Sequence, residues 1–121
     1  MLKVLIIEND YKKAYSYSEI LNKIQGVELL GVVSDKPTAM IMINNNQPDV
    51  VFCNPKLSLE GNVIPIALEI RKKCDSKIIV LGKSLRIKEE MNKLHPYEYI
   101  QDANNINEYK NLFSSLKNKI A

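Results

Sequence analysis

The sequence predicts an α/β domain built on a parallel five-stranded sheet with helices on both faces. Three observations carry this. Five short runs rich in Val, Ile and Leu have the length of strands buried on both faces. The stretches between them place apolar residues at helical spacing. The two patterns alternate along the whole chain, with no internal repeat, low-complexity tract or linker.

Leu2–Ile7, broken only by Lys3, is the first strand. Asp10 is placed to cap a helix over about Tyr11–Ile24, with Ala14, Tyr17, Ile20, Leu21 and Ile24 on one stripe, and Gly26 ends it. Val27–Val33 is the second strand. Asp35 is an N-cap with Pro37 in the first turn, for a helix over about Lys36–Asn45. Pro48 precedes the third strand, Asp49–Cys53, and the loop NPKLSLEG follows it. Asn62 is placed to cap a helix over about Val63–Lys73. Lys77–Leu81 is strand four, Leu85–Lys93 the fourth helix and Tyr97–Gln101 strand five. Ile106–Ile120 closes the chain as a helix whose apolar face carries Ile106, Tyr109, Phe113, Leu116 and Ile120.

Right-handed crossovers between buried parallel strands give the order 2-1-3-4-5, a flavodoxin-like (βα)5 three-layer sandwich. In such a sheet a site lies beyond the carboxyl ends of strands 1, 3, 4 and 5. That places it at residues 8–10, 54–61, 82–84 and 102–103.

Composition narrows the function. The 121 residues fit one domain, 1–121, and 45% hydrophobic with 26% charged residues is ordinary for a globular protein. The formal net charge is +3, with lysines scattered among acidic residues, so no phosphate-binding stripe points to nucleic acid. No apolar run approaches the roughly 18 residues of a membrane span. The start, MLKVLIIEND, turns acidic too early for a signal peptide. A cytoplasmic protein is expected, with Cys53 and Cys74, which have no metal-ligand spacing, as reduced packing residues.

The segments KVLIIEND, QPDVVFCN, KIIVLGKS and EYIQDA resemble, in order and spacing, the four signature segments of response-regulator receiver domains. The resemblance covers essentially the whole chain. It implies a two-component signalling role, in which an active receiver uses a carboxylate after strand three as nucleophile. Two acidic residues after strand one hold Mg²⁺, a hard cation that prefers oxygen. A hydroxyl after strand four and a lysine after strand five bind the phosphoryl oxygens.

This chain departs from that set. Glu8 fills the first acidic position, but Asn9 stands at the second. Asn54 stands at the nucleophile, Gly82 at the hydroxyl and Asp102 at the lysine. An amide has no anionic oxygen to attack phosphorus. One carboxylate beside two amides draws a dication weakly, so no metal is assigned, with Glu8 as the one weak candidate. Asp102 would repel a phosphate, by about 1 kcal/mol in water and about 4 kcal/mol at an effective dielectric of 20 for a separation of about 4 Å. Deamidation of Asn54 through a succinimide is closed, because Pro55 lacks the attacking N–H. The loop NPKLSLEG is shorter than the common pattern and has Ser58 near its usual proline.

Other residues take bland readings. Glu8, Asn9 and Asp10 form a polar strand end with Asp10 as helix cap, rather than a residual cation site. Tyr99 matches the switch aromatic, yet with Gly82 no hydroxyl couples to it, which makes it a packing or interface residue. His95 is a loop residue and Cys53 a buried thiol. Ile87, Met91 and Leu94 are a core stripe on the fourth helix.

The expectation is a degenerate receiver without enzymatic activity or cofactor, acting as a protein-interaction module. Its partner or second copy would dock on the fourth helix, fifth strand and fifth helix. A DNA-binding output domain following in a longer regulator is compatible with this. The rival is a small ligand-binding or enzymatic domain on the same sheet. It would need a Gly- or Ser/Thr-rich phosphate loop after strand one, where the residues are ENDYKK.

Overall fold

The structure is a computed structural model that describes residues 1–54, 63–82, 88–89 and 91–120, the side chains of 118–120 excepted. Five strands, β1 (Leu2–Ile7), β2 (Val27–Val33), β3 (Val50–Cys53), β4 (Lys77–Leu81) and β5 (Glu98–Ile100), form one parallel sheet. Their order is β2-β1-β3-β4-β5, the flavodoxin-like arrangement expected from the sequence. The described residues contain four α-helices: α1 (Tyr11–Asn22), α2 (Lys36–Asn45), α3 (Val63–Cys74) and α4 (Ile106–Ile120).

Of the expected fourth helix over Leu85–Lys93, residues 88, 89 and 91 are helical and lead into a 3-10 turn, Asn92–Leu94. The rest of it, with Leu85 and Ile87, lies outside the described residues, as do the Pro55–Gly61 loop and the Asn62 cap.

Two core layers sandwich the sheet. On one face Val4, Ile6, Val50 and Phe52 pack with Tyr17 and Leu21 of α1 and with Tyr109, Leu112, Phe113 and Leu116 of α4. The Phe52 ring stacks on Tyr109, with centroids 5.6 Å apart, and tilts against Phe113 at 6.0 Å. On the other face Leu5, Ile7, Val51 and Cys53 pack with Ala39 and Ile43 of α2, Ile66 and Ile70 of α3, and Met91 and Leu94. Strand side chains alternate between the faces, so Cys53 and Phe52 point oppositely, as expected.

Local chemistry fixes the element ends. Asp10 Oδ1 accepts the backbone N–H groups of Lys12 and Lys13, and Asp35 Oδ1 accepts that of Thr38, so both are the expected N-caps. Helix α1 stops at Asn22 rather than Ile24. The N–H groups of Lys23 and Ile24 turn back three residues, to Ile20 and Leu21, in a tightened last turn that still buries Ile24. Strand β3 starts at Val50, and just before it the Asp49 carboxylate takes the Lys3 N–H at 2.8 Å. Between β1 and β2 the register skips Leu30, just before Gly31, where a Cβ would lie 2.9 Å from Met42 Cε of α2. His95, in the left-handed region at φ 46°, ends the 3-10 turn, and Arg71 of α3 donates to the Leu94 and His95 carbonyls there.

Phe52 joins β3 to both aromatic rings of α4, so Phe52→Ala should cost about 3–5 kcal/mol of unfolding free energy. Urea denaturation of the two proteins measures it.

Candidate functional site

The strand ends gather four of the expected positions. Glu8 follows β1, Asn54 follows β3, Gly82 follows β4 and Asp102 lies beyond β5. Glu8 is only 2% exposed and Asn54 6% exposed, which with Ser76 makes them the buried polar residues of a mainly apolar interior among the described residues.

A buried carboxylate must be supplied with donors. Glu8 Oε2 accepts the backbone N–H groups of Asn9 and Asp10, each at 3.0 Å. Its Oε1 accepts Nδ2–H of Asn54 at 2.6 Å. Glu8 also acts on Tyr17, whose pKa is pushed up to about 12, first by burial and then by the charge of Glu8 and a hydrogen bond to it. The Asn54 amide therefore gives Glu8 an N–H where a metal-binding strand end would offer it a cation. The polar strand end with Asp10 as cap is the arrangement observed.

The β5 end is closed in the same way. Glu108, in the first turn of α4, accepts the backbone N–H groups of Gln101 at 2.8 Å and Asp102 at 3.0 Å. The Asp102 carboxylate accepts the N–H of Asn104 at 3.0 Å, in its own turn. Tyr109 donates to the Ala103 carbonyl at 2.8 Å; burial, above all, raises its pKa. The Gly82 N–H donates to the Ile100 carbonyl at 2.9 Å.

The structure brings Glu8, Asn9 and Asn54 together but does not bring Asp102 to them. Strand β4 lies between β3 and β5, and two inter-strand spacings separate their backbones by about 9.6 Å.

Tyr99 is half-buried against the α2/α3 side of the core. Its hydroxyl donates to the Lys88 carbonyl at 3.3 Å, and Lys88 Nζ lies 5.7 Å from its ring centroid. Cys53 is fully buried, and burial pushes its thiol up to about 12, away from nucleophilic chemistry.

A divalent metal fits this donor set poorly. The one buried carboxylate already accepts protein donors on both oxygens, and its neighbours in the set are amides. Among the described residues no group of three His, Cys, Asp or Glu is placed to hold a metal ion. An open depression of about 430 Å³ adjoins Glu8, but it lies toward β2 between Asp10, Tyr11, Tyr15 and Val32, away from Asn54.

Sequence periodicity placed Tyr17 and Tyr109 in the core, where they lie, but gave no role to their hydroxyls and missed Glu108. Both tyrosines count as apolar on a helical stripe. The available signal was that a buried phenol needs a hydrogen-bond partner, and Tyr17 packs under the one strand end that carries a buried carboxylate.

No family model matches the chain, and no curated protein matches it. Solved structures do. The receiver domain of the TMAO respiratory system response regulator TorR aligns over 100% of both chains, with 15% identity and a TM-score of 0.80. The response regulatory domain of MrkE from Klebsiella pneumoniae aligns over 98% of this chain and 97% of its own, with 20% identity and a TM-score of 0.77. The signal receiver domain of a modulated diguanylate cyclase from Desulfovibrio desulfuricans G20 covers 97% and 92%, with 19% identity and a TM-score of 0.77. At these identities the likeness is one of fold. No helix among the described residues is long and apolar enough to cross a membrane.

Tyr17→Phe removes a buried phenol hydroxyl that lies near the Glu8 carboxylate and should cost about 1 kcal/mol in urea unfolding at neutral pH. The raised pKa of Tyr17 contributes stability that is complete below the ordinary tyrosine value and lost as pH rises through about 12. The stability gap between wild type and Tyr17→Phe should therefore narrow over that alkaline window.

Proposed function

We propose that residues 1–121 are a single receiver-like module of two-component-type signal transduction that takes up no phosphoryl group and acts by binding protein. The observation that carries this is the 2.6 Å bond from Asn54 to Glu8. The side chain at the nucleophile position serves as a donor to the side chain at the metal position. It offers no anionic oxygen, and it covers the oxygen that a cation would need.

Gly82 and Asp102 extend the argument. Neither supplies a group that could hold a phosphoryl oxygen, and the Asp102 carboxylate is engaged by its own turn. Tyr99, held by the Lys88 carbonyl, has no hydroxyl at position 82 to follow inward. On this reading the strand ends keep one arrangement. The domain has no enzymatic activity, uses no cofactor and works in the cytoplasm. Its partner, protein or second copy, docks on the surface of the expected fourth helix (Leu85–Lys93), β5 with Tyr99, and α4, and nucleic-acid binding, where the full protein has it, belongs to another domain. The ligand-binding rival lacks support, since ENDYKK after β1 forms no phosphate loop.

Incubation with acetyl phosphate and Mg²⁺ should leave the intact mass unchanged. Gain of one phosphoryl mass by a substantial fraction would overturn the reading.

Restoring the chemistry should need several residues together. Asn54→Asp alone removes a donor from Glu8 and adds a second carboxylate beside it. It should destabilise the fold by about 3 kcal/mol at neutral pH. Two carboxylates sharing a site raise one pKa, so this loss should appear as pH rises through the raised value and vanish in acid. The set Asn9→Asp, Asn54→Asp, Gly82→Thr and Asp102→Lys should gain Mg²⁺-dependent beryllofluoride binding at least about tenfold tighter than the single variant, by isothermal titration. Equal binding by the two variants would show that position 54 alone is the block.

A further inference from the structure

The end of the molecule opposite the strand-end site carries a second feature. A depression of about 460 Å³ lies between the last turn of α1 and helix α4, with Lys23 and Gln25 on one side and Lys110, Ser114 and Lys117 on the other. Ile24 and Phe113 complete its lining, and no carboxylate contributes to it. Its volume is within the range of small-molecule sites.

The lysines are distant in sequence, and the fold collects them. Lys110, Ser114 and Lys117 stand at i, i+4 and i+7 on α4, one helical face with a rise of about 10.5 Å from first to last. Lys117 Nζ donates to the Gln25 carbonyl at 2.7 Å, which leaves it further N–H donors and fixes it across the depression. The ammonium groups of Lys23 and Lys110 make no hydrogen bond or ion pair among the described residues.

Helix-end electrostatics explains part of this. Lys23 caps the C-terminus of α1, and Lys117 satisfies a carbonyl just beyond it. Lys110 has no such role, since it lies near the positive end of α4. Three cations around one concavity repel one another unless an anion joins them.

We propose that this depression binds a small anion carrying clustered phosphates, such as inorganic triphosphate or a nucleoside polyphosphate. The spread of Lys110 and Lys117 along α4 suits an extended polyanion better than a single phosphate. Three lysines share this concave patch while the others are scattered along the chain among acidic residues, which suits a small ligand rather than a nucleic-acid strand. The site is independent of the strand-end reading.

The experiment is titration of the full chain with tripolyphosphate at physiological ionic strength, followed by amide chemical shifts. Saturable shifts at residues 23–25 and 110–117, half-complete below millimolar concentration, are expected, with Glu8 and Asn54 unmoved and orthophosphate weaker. The double variant Lys23→Gln, Lys110→Gln should bind at least about tenfold more weakly while still unfolding cooperatively in urea, its midpoint lowered no further than that of Lys23→Gln alone, since only Lys23 has a helix-end role. Vesicles bearing a bisphosphorylated inositol headgroup provide a second arm. Co-sedimentation that the double variant abolishes assigns the clustered phosphates to lipid, and triphosphate binding without it assigns them to a soluble ligand. Shifts spread evenly over all lysines, absence of saturation, or unaltered binding by the double variant would overturn the proposal.

Discussion

The strand-end site is organised by the need of one buried anion for donors. Glu8 stands where the apolar run of β1 ends, 2% exposed, and a carboxylate withdrawn from water costs several kcal/mol unless hydrogen bonds replace the lost hydration. The β1–α1 turn answers with the N–H groups of Asn9 and Asp10 and the end of β3 with the Asn54 amide, while Tyr17 of α1 packs close by. Turn and strand are thereby tied to one another by a single side chain. The same Asp10 whose N–H serves Glu8 uses its own carboxylate to start α1.

Helix α4 repeats the device at the far side of the sheet. Glu108 gathers two consecutive N–H groups after β5, and Tyr109 beside it pins the Ala103 carbonyl. Tyr17 and Tyr109 thus have a double role. Their rings fill the core layer around Phe52, and their hydroxyls reach the polar loops above it. Packing and polar order at the strand ends are coupled through these two side chains.

This explains what the sequence made legible and what it hid. Strands such as Leu2–Ile7 and Val50–Cys53 announce themselves as dense apolar runs, because a strand buried on both faces has nowhere to put a polar residue. Their order then locates Glu8, Asn54, Gly82 and Asp102 at one edge of the sheet. Distances across that edge are not encoded in local pattern. The expected strand order already puts a whole strand between Asp102 and Asn54, but that the Asn54 amide meets the Glu8 carboxylate is something only the folded sheet reveals. The phenol hydroxyls were hidden because helical periodicity counts a tyrosine as apolar. Leu112, buried on α4, escaped the expected stripe by one position. Lys23 and Lys110 stayed invisible as a pair because their neighbourhood exists only once α1 and α4 lie side by side.

The closed strand end has a consequence for how information could pass through the molecule. A switch needs two populated arrangements and a ligand that distinguishes them. With Glu8 already accepting from Asn9, Asp10 and Asn54, the proposed reading leaves a phosphoryl signal no second arrangement to select at this end. On that reading occupancy of a partner follows mass action, set by how many copies are made, how tightly they dock and what else the domain binds. In such a circuit abundance is the message, and control belongs to synthesis and turnover rather than to phosphoryl chemistry at the strand ends.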